Sequence, residues 1–347
     1  MIDLLVVGGG PAGLATAVHA ALAGLETVVI EPRATPVDKA CGEGVMPSGV
    51  SALRALGLDL PAGRELRGIR YVSGPHRAQA PFDNGTGLGV RRTELHAALA
   101  RRAEEAGVRT VTGRAGAVEQ SADSVTAGGL RARWLVAADG LHSPVRRGLG
   151  LELPERGPRR YGQRRHYRVR PWTDFVEVHW ARGDDGPGGG VAGEAYVTPV
   201  GDDLVGVAVL STVRRGYDDH LAHFPELLAR LDGEPATAVR GAGPLRRRVR
   251  RRTAGRVLLV GDAAGYVDAL TGEGVALALA SAEAAVRCLR AGRPQEYEAR
   301  WRALSRRHRL LTQALVRIGG HRAGARLIVP AAARMPAVFA AAVRALQ

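Results

Sequence analysis

The stretch "GGGPAG", Gly8 to Gly13, constrains this chain more than any other. It follows an apolar run, "IDLLVV" at 2–7, and opens an alanine-rich segment, "PAGLATAVHAALAGL" at 11–25. A second apolar run, "ETVVIE", ends on Glu31. Short apolar runs bounded by glycine read as buried strands, and the longer segment between them reads as a helix. Strand, glycine turn, helix and strand make a βαβ unit, which calls for a parallel sheet with helices on its faces. The spacing G-x-G-x-x-G gives each glycine a task. Gly8 permits the tight turn, Gly10 lets a pyrophosphate reach the backbone, and Gly13 lets the helix pack on the strand. Pro11 and Ala12 begin the helix, whose free N–H groups and positive dipole end attract phosphate. Glu31 is placed to accept from a ribose diol. A carboxylate there disfavours a 2′-phosphate, so FAD or NAD fits better than NADP. Pro32 and Arg33 follow on the same expected site.

The chain has 347 residues, long for one compact domain. The expected fold is α/β. A Rossmann-like dinucleotide-binding domain takes residues 1–63, 84–153 and 254–290. An inserted β-sheet substrate domain takes 64–83 and 154–253, and C-terminal helices take 291–347. Strands of the insert are expected at "QRRHYRVR", "FVEVHWA", "GEAYVTPV" and "LVGVAVL", then a helix near 217–231 and a strand near 239–250. In the first domain, "RRTELHAALARRAEEAG" at 91–107 puts Leu95, Leu99 and Ala103 on one helix face. Cys41 and Cys288 are the only cysteines, which argues against a disulfide framework and a metal site. No apolar run reaches the length of a membrane span, and the first residues enter a strand directly. A cytoplasmic protein with no transmembrane segment is expected. The formal charge is +15, and Lys39 is the only lysine. Aromatic residues are only 4%, and no basic stretch carries interleaved aromatics, so nucleic acid is not the expected partner.

Two later motifs join the first. "AADGLHSPVR" at 137–146 puts Asp139 and Gly140 at a strand end, and "GDAAG" puts Gly261 and Asp262 at another. The three motifs in this order resemble flavoproteins of the p-hydroxybenzoate-hydroxylase type. The resemblance implies non-covalent FAD, with NAD(P)H as a transient reductant docking near Asp139 and Arg146. In physical terms, Asp262 can accept from a ribityl hydroxyl, and Gly272 and Gly274 leave room for a flat ring. The N–H groups of the helix that starts there would face the flavin N1–C2=O edge. Within this superfamily, "GDAAGYVDALTGEGVALAL" is similar to the geranylgeranyl-reductase pattern G-D-A-A-G-x-x-x-P-x-T-G-E-G, which includes Glu273. Ala269 stands where the proline is expected. "KACGEGVMP" at 39–47 resembles the same family's cysteine–glycine segment near the flavin, and Arg92, or alternatively Arg91 beside it, matches a family arginine that contacts FAD. "EAYVTPV" keeps Tyr196 and Pro199 of the family's Y-x-W-x-F-P lipid-tunnel segment but lacks its Trp and Phe.

Two reactions fit an FAD enzyme with these motifs. One is hydroxylation of a hydrophobic aromatic or polyketide-like molecule with O2. The other is hydride delivery to a C=C bond of an isoprenoid chain. The altered tunnel segment favours the monooxygenase. Cys41 and Glu43 are the catalytic candidates, and Tyr196 and Thr198 the substrate candidates. Strand alternation also puts Arg164, His166, Arg168 and Arg170 on one face, and Arg246, Arg248, Arg250 and Arg252 on another. Sharing a sheet, they would form a basic surface for an anionic or carrier-tethered substrate.

Overall fold

A computed structural model describes residues 1–181 and 193–345; residues 182–192, inside the expected insert, and 346–347 lie outside the described residues. The chain opens with β1 (Ile2–Val7), α1 (Pro11–Leu22) and β2 (Thr27–Glu31). Next come β3 (Gly44–Val45), α2 (Pro47–Ala55), β4 (Arg64–Leu66), β5 (Gly68–Ser73), β6 (His76–Pro81) and β7 (Gly87–Gly89). Helix α3 (Arg92–Glu105) leads to β8 (Arg109–Thr112), β9 (Glu119–Gln120), β10 (Val125–Ala127) and β11 (Leu130–Ala137). After α4 (Pro144–Gly148) come β12 (Glu152–Leu153), β13 (Tyr161–Arg168), β14 (Phe175–Trp180), β15 (Glu194–Pro199) and β16 (Leu204–Ser211). Two short helices follow, α5 (Tyr217–Leu221) and α6 (Pro225–Leu228), then β17 (Arg240–Ala242), β18 (Arg248–Val249), β19 (Thr253–Ala254) and β20 (Val257–Leu259). The last helices are α7 (Gly274–Arg290), α8 (Tyr297–Gly319), α9 (Arg322–Arg334) and α10 (Pro336–Arg344).

The first sheet runs β19-β20-β11-β1-β2-β8, and its central pairings are parallel. Leu4, Leu5 and Val6 of β1 are fully buried, as a parallel sheet covered on both faces requires. Because β1, β11 and β20 point the same way, the turns carrying Gly8, Asp139 and Gly261 emerge at one edge. That edge is where open α/β sheets bind their ligands.

The second sheet runs β17-β13-β16-β15-β14-β5-β6. Strand β15 is buried on both faces. Its Tyr196 joins an apolar cluster with Tyr71, Trp180, Val329 and Phe339, which seats α9 and α10 on the sheet. Ala195 and Val197 join Leu221 and Leu227 beneath α5 and α6. Strand β4, in the range expected for the insert, instead pairs with β7 in a small sheet with β3.

Two expectations need correction. The single helix near 217–231 is two helices, because Pro225 pushes Phe224 out of helical geometry, to φ −123° and ψ 65°. The strand near 239–250 is also divided. Its first part pairs with β13, while β18 pairs with β12 in a separate ribbon. The two arginine-rich strands therefore do not share the sheet that the basic surface needed. Arg164, His166 and Arg252 are buried, and buried charges require partners. Arg164 pairs with Asp38, and Arg252 with Glu298.

Candidate active site

The glycine turn is built to a tight tolerance. Gly8 has φ 103°, and a Cβ there would stand 2.5 Å from the Ala138 carbonyl oxygen. A Cβ on Gly13 would overlap the Gly8 carbonyl oxygen itself. Gly10 differs: within 4 Å a Cβ would meet only the tip of Arg92, at 3.7 Å. Packing thus demands Gly8 and Gly13, whereas the space above Gly10 is left open. Helix α1 starts there with no side-chain cap, so its first N–H groups stay free for an anion. His96 steadies the turn from α3, its Nε2 lying 2.8 Å from the Gly9 carbonyl oxygen.

Glu31 is engaged within the protein. Its carboxylate accepts from the Gly9 amide at 2.7 Å and from Arg33 Nε at 2.7 Å. Burial raises this carboxyl, but those hydrogen bonds outweigh it and hold it below its ordinary value. A ribose diol would therefore share Glu31 with Arg33.

The DG and GD motifs are tied by Arg146, which the sequence suggests as a neighbour of the nicotinamide. Arg146 is fully buried, and its guanidinium donates to the Leu141 and Ala263 carbonyls and pairs with Glu152. Its guanidinium is committed within the protein, where it locks the two motifs together. Asp139 Oδ2 accepts from the Val145 amide at 3.1 Å, while its buried Oδ1 has no partner. Burial raises the Asp139 and Asp262 carboxyls; Lys39 and Arg92 oppose the rise at Asp262.

Lys39 lies among these groups. A Cβ on Gly140 would stand 3.5 Å from its Nζ. Its side chain is exposed, yet desolvation by the surrounding protein, then Arg33 and Arg92, lowers its pKa. The open cradle at Gly10, the uncapped helix end, the orphaned Asp139 oxygen and the Lys39–Arg92 cations fit an anionic dinucleotide.

Comparison with known proteins agrees. A family model described as "FAD binding domain" matches residues 1–163. The chain is 30% identical to the menaquinone reductase of Mycolicibacterium smegmatis, over 88% of this chain and 80% of that protein. It is also 30% identical to digeranylgeranylglycerophospholipid reductase 1 of Methanothermobacter thermautotrophicus, over 79% and 73%. The chain belongs to the geranylgeranyl-reductase-like family of FAD-dependent oxidoreductases. Its fold is that of p-hydroxybenzoate-hydroxylase-type flavoproteins. The solved p-nitrophenol 4-monooxygenase from Pseudomonas putida superimposes with TM-score 0.80 at 18% identity, over all of this chain and 98% of that one.

In this family member the segment with Cys41 and Glu43 runs between the cofactor groove and the second sheet. Glu43 is a buried non-glycine residue at φ 60°. Its carboxylate lies 2.5 Å from His166 Nε2 and accepts from the Arg92 amide at 2.9 Å. The Glu43 amide donates to Cys41 Sγ at 3.4 Å, and burial raises the Cys41 thiol. Thr198 donates to the Gly42 carbonyl at 2.7 Å, and Tyr196 to the Leu270 carbonyl at 3.2 Å. Both substrate candidates thus spend their hydroxyls holding loops beside the groove.

The last motif is anchored from behind. Helix α7 starts at Gly274 with no side-chain cap, leaving its N–H groups free. Glu273 turns to α8, where its Oε2 lies 2.5 Å from His308 Nδ1. Gly272 has φ 70°. Nearby, buried Arg160 bridges Glu194 at 2.6 Å and Asp268 at 2.9 Å, joining β15 to the loop between the GD motif and α7. Sequence reasoning missed Lys39, His96, Arg146 and Arg160 in these roles. Only Lys39 left a signal, as the one lysine among 49 basic residues.

Proposed function

We propose that the chain reduces a carbon–carbon double bond of a hydrophobic, isoprenoid-bearing molecule, with FAD reduced by NAD(P)H. The observation that carries this reading is the position of Cys41, whose Sγ lies 3.4 Å from the Glu43 amide, beside the Glu43–His166 pair. Reduction of C=C needs a hydride on one carbon and a proton on the other. Bound FAD, once reduced, supplies the hydride. The chain's own task is then to hold the substrate in a dry groove and keep a proton ready at Cys41 Sγ. Burial raises that thiol, so it remains S–H at neutral pH. Glu43 and His166 position the segment through their mutual hydrogen bond. Relatives named as reductases support this reading over the monooxygenase. Hydroxylation remains the second reading, favoured by β15, which lacks the tunnel Trp and Phe.

The decisive experiment is turnover under nitrogen with a polyprenyl substrate. The product is expected to gain two hydrogens and no oxygen; failure of turnover under nitrogen, with label entering the product in a parallel run under 18O2, would overturn the reading. Cys41→Ala is expected to lower kcat by about 10²–10⁴-fold, the usual worth of a positioned proton donor, while FAD stays bound. Unchanged kcat would remove Cys41 from the mechanism.

Gly10, Pro11, Ala12, Gly13, Glu31, Pro32, Arg33, Lys39, Arg92, Asp139, Gly140, Gly261, Asp262, Gly272, Glu273 and Gly274 are proposed to form the FAD site, with Gly8 shaping its turn. Lys39→Met removes a cation from this groove. It is expected to weaken FAD binding about 10- to 100-fold, from a charge-assisted hydrogen bond worth about 1.5–3 kcal/mol. Titration of apo-protein by flavin fluorescence measures this. An unchanged Kd would place Lys39 outside the cofactor's reach.

A further inference from the structure

The C-terminal helices carry a surface that the flavin site does not use. Among the described residues, Leu304, Leu310, Ile318, Leu327, Met335 and Val338 make up six of the nine exposed large apolar side chains. All six lie on or between α8, α9 and α10. Leu310, Ala314 and Ile318 follow at four-residue spacing, which forms one stripe of α8. Met335, Pro336, Ala337 and Val338 are four consecutive exposed apolar residues at the corner between α9 and α10. Single exposed leucines need no explanation, but an exposed run of this kind signals an interaction site.

Loose docking does not account for the exposure. Val329, Phe339 and Val343 bury the opposite faces of α9 and α10 in the cluster that contains Tyr71, Ala78 and Ala80. Among the described residues, no single helix is long and apolar enough to cross a membrane. The α9–α10 pair passes that test jointly but is bent by 102°. With one face held on the second sheet, the pair suits lying along a bilayer, not across it.

Charge identifies the partner. Residues 299–347 contain ten arginines and neither Asp nor Glu. Arg306, Arg307, Arg317 and Arg334 are exposed beside the apolar positions. A twofold contact between copies would bring arginine against arginine with no acid between them. A negatively charged lipid surface meets both halves of the pattern, since apolar side chains enter the headgroup layer and arginines meet the phosphates.

We infer that α8–α10 dock the protein on an anionic lipid bilayer, with the 335–338 corner inserted among the headgroups. Such a surface brings the groove to substrates dissolved in the membrane. The inference does not rest on which bond the flavin reduces, and vesicle binding requires no turnover.

The test is co-sedimentation of the FAD-loaded chain with vesicles. Binding to vesicles of equal phosphatidylglycerol and phosphatidylcholine is expected to exceed binding to pure phosphatidylcholine at least 10-fold, and to fall with added salt. The triple variant Leu327→Asp, Met335→Asp, Val338→Asp changes exposed positions only. It is expected to lose at least 10-fold in vesicle binding with flavin content and melting temperature unchanged. Arg317→Gln with Arg334→Gln is expected to flatten the salt dependence. Equal binding to both vesicle types, or a triple variant that sediments like the parent, would overturn the proposal. So would a concentration-dependent dimer dispersed by the triple variant, which would assign the surface to a second copy of the chain.

Discussion

Gly13→Ala is expected to abolish FAD binding and to destabilise the first sheet. The new methyl would collide with the Gly8 carbonyl oxygen, a backbone atom that cannot rotate away. Gly8 cannot retreat either, since it is pressed against Ala138 at a backbone angle that favours glycine. Overpacking a rigid site costs about 1–3 kcal/mol or more, and here the turn proposed to bind the cofactor is what must move. Gly10→Ala is the informative contrast. Its methyl meets only the flexible end of Arg92, so the apo-protein should melt at the parent temperature. The same methyl intrudes on the open cradle, so FAD affinity should still fall. Equal loss of stability in both variants would refute the assignment of packing to one glycine and ligand space to the other.

Arg160→Leu is expected to destabilise the protein by about 3–5 kcal/mol at neutral pH, the usual cost of breaking a buried ion pair by removing one partner. Glu194 and Asp268 would be left facing each other without their cation. Burial already raises both carboxyls, with Arg160 opposing the rise. Removing the guanidinium raises them further. The sign of the pH dependence follows. A carboxyl raised by folding favours the protonated form, so its folded state is most stable at low pH and loses stability as pH rises. The deficit of Arg160→Leu should therefore shrink as pH falls towards about 4, the ordinary carboxylate range. Adding Glu194→Gln and Asp268→Asn should recover much of the loss, because the three groups act as one unit. Denaturant melts across pH would show this. A deficit independent of pH would mean that Arg160 acts through packing alone.

The cofactor edge was legible in the sequence because its requirements are local. A tight turn needs glycine at Gly8 and Gly13 whatever lies elsewhere, and a strand-ending Asp-Gly or Gly-Asp is read in one short window. Groups whose partners lie far along the chain were not legible. Arg160 and Asp268 are 108 residues apart, and nothing near either one announces the other. Arg146 sits in a motif that suggested a nucleotide contact, yet it holds Ala263 from inside. Strand β13 failed for a different reason. Alternation says which residues share a face, not which face is covered. With protein on both sides, Arg164 and His166 became buried partners of Asp38 and Glu43.

One composition detail acquires a practical meaning from its position. In a chain whose other side-chain cations are arginine or histidine, Lys39 is the only side-chain amine, and it stands beside Gly140 in the proposed cofactor groove. Amine-directed reagents therefore have two targets here, the chain terminus and the groove. The lowered pKa of Lys39 leaves more of it in the nucleophilic, uncharged form near neutrality. A reporter attached or a methyl label placed there would read out occupancy of the dinucleotide site from one position. Bound FAD should shield it, so the rate of acylation becomes a direct gauge of the fraction of empty protein.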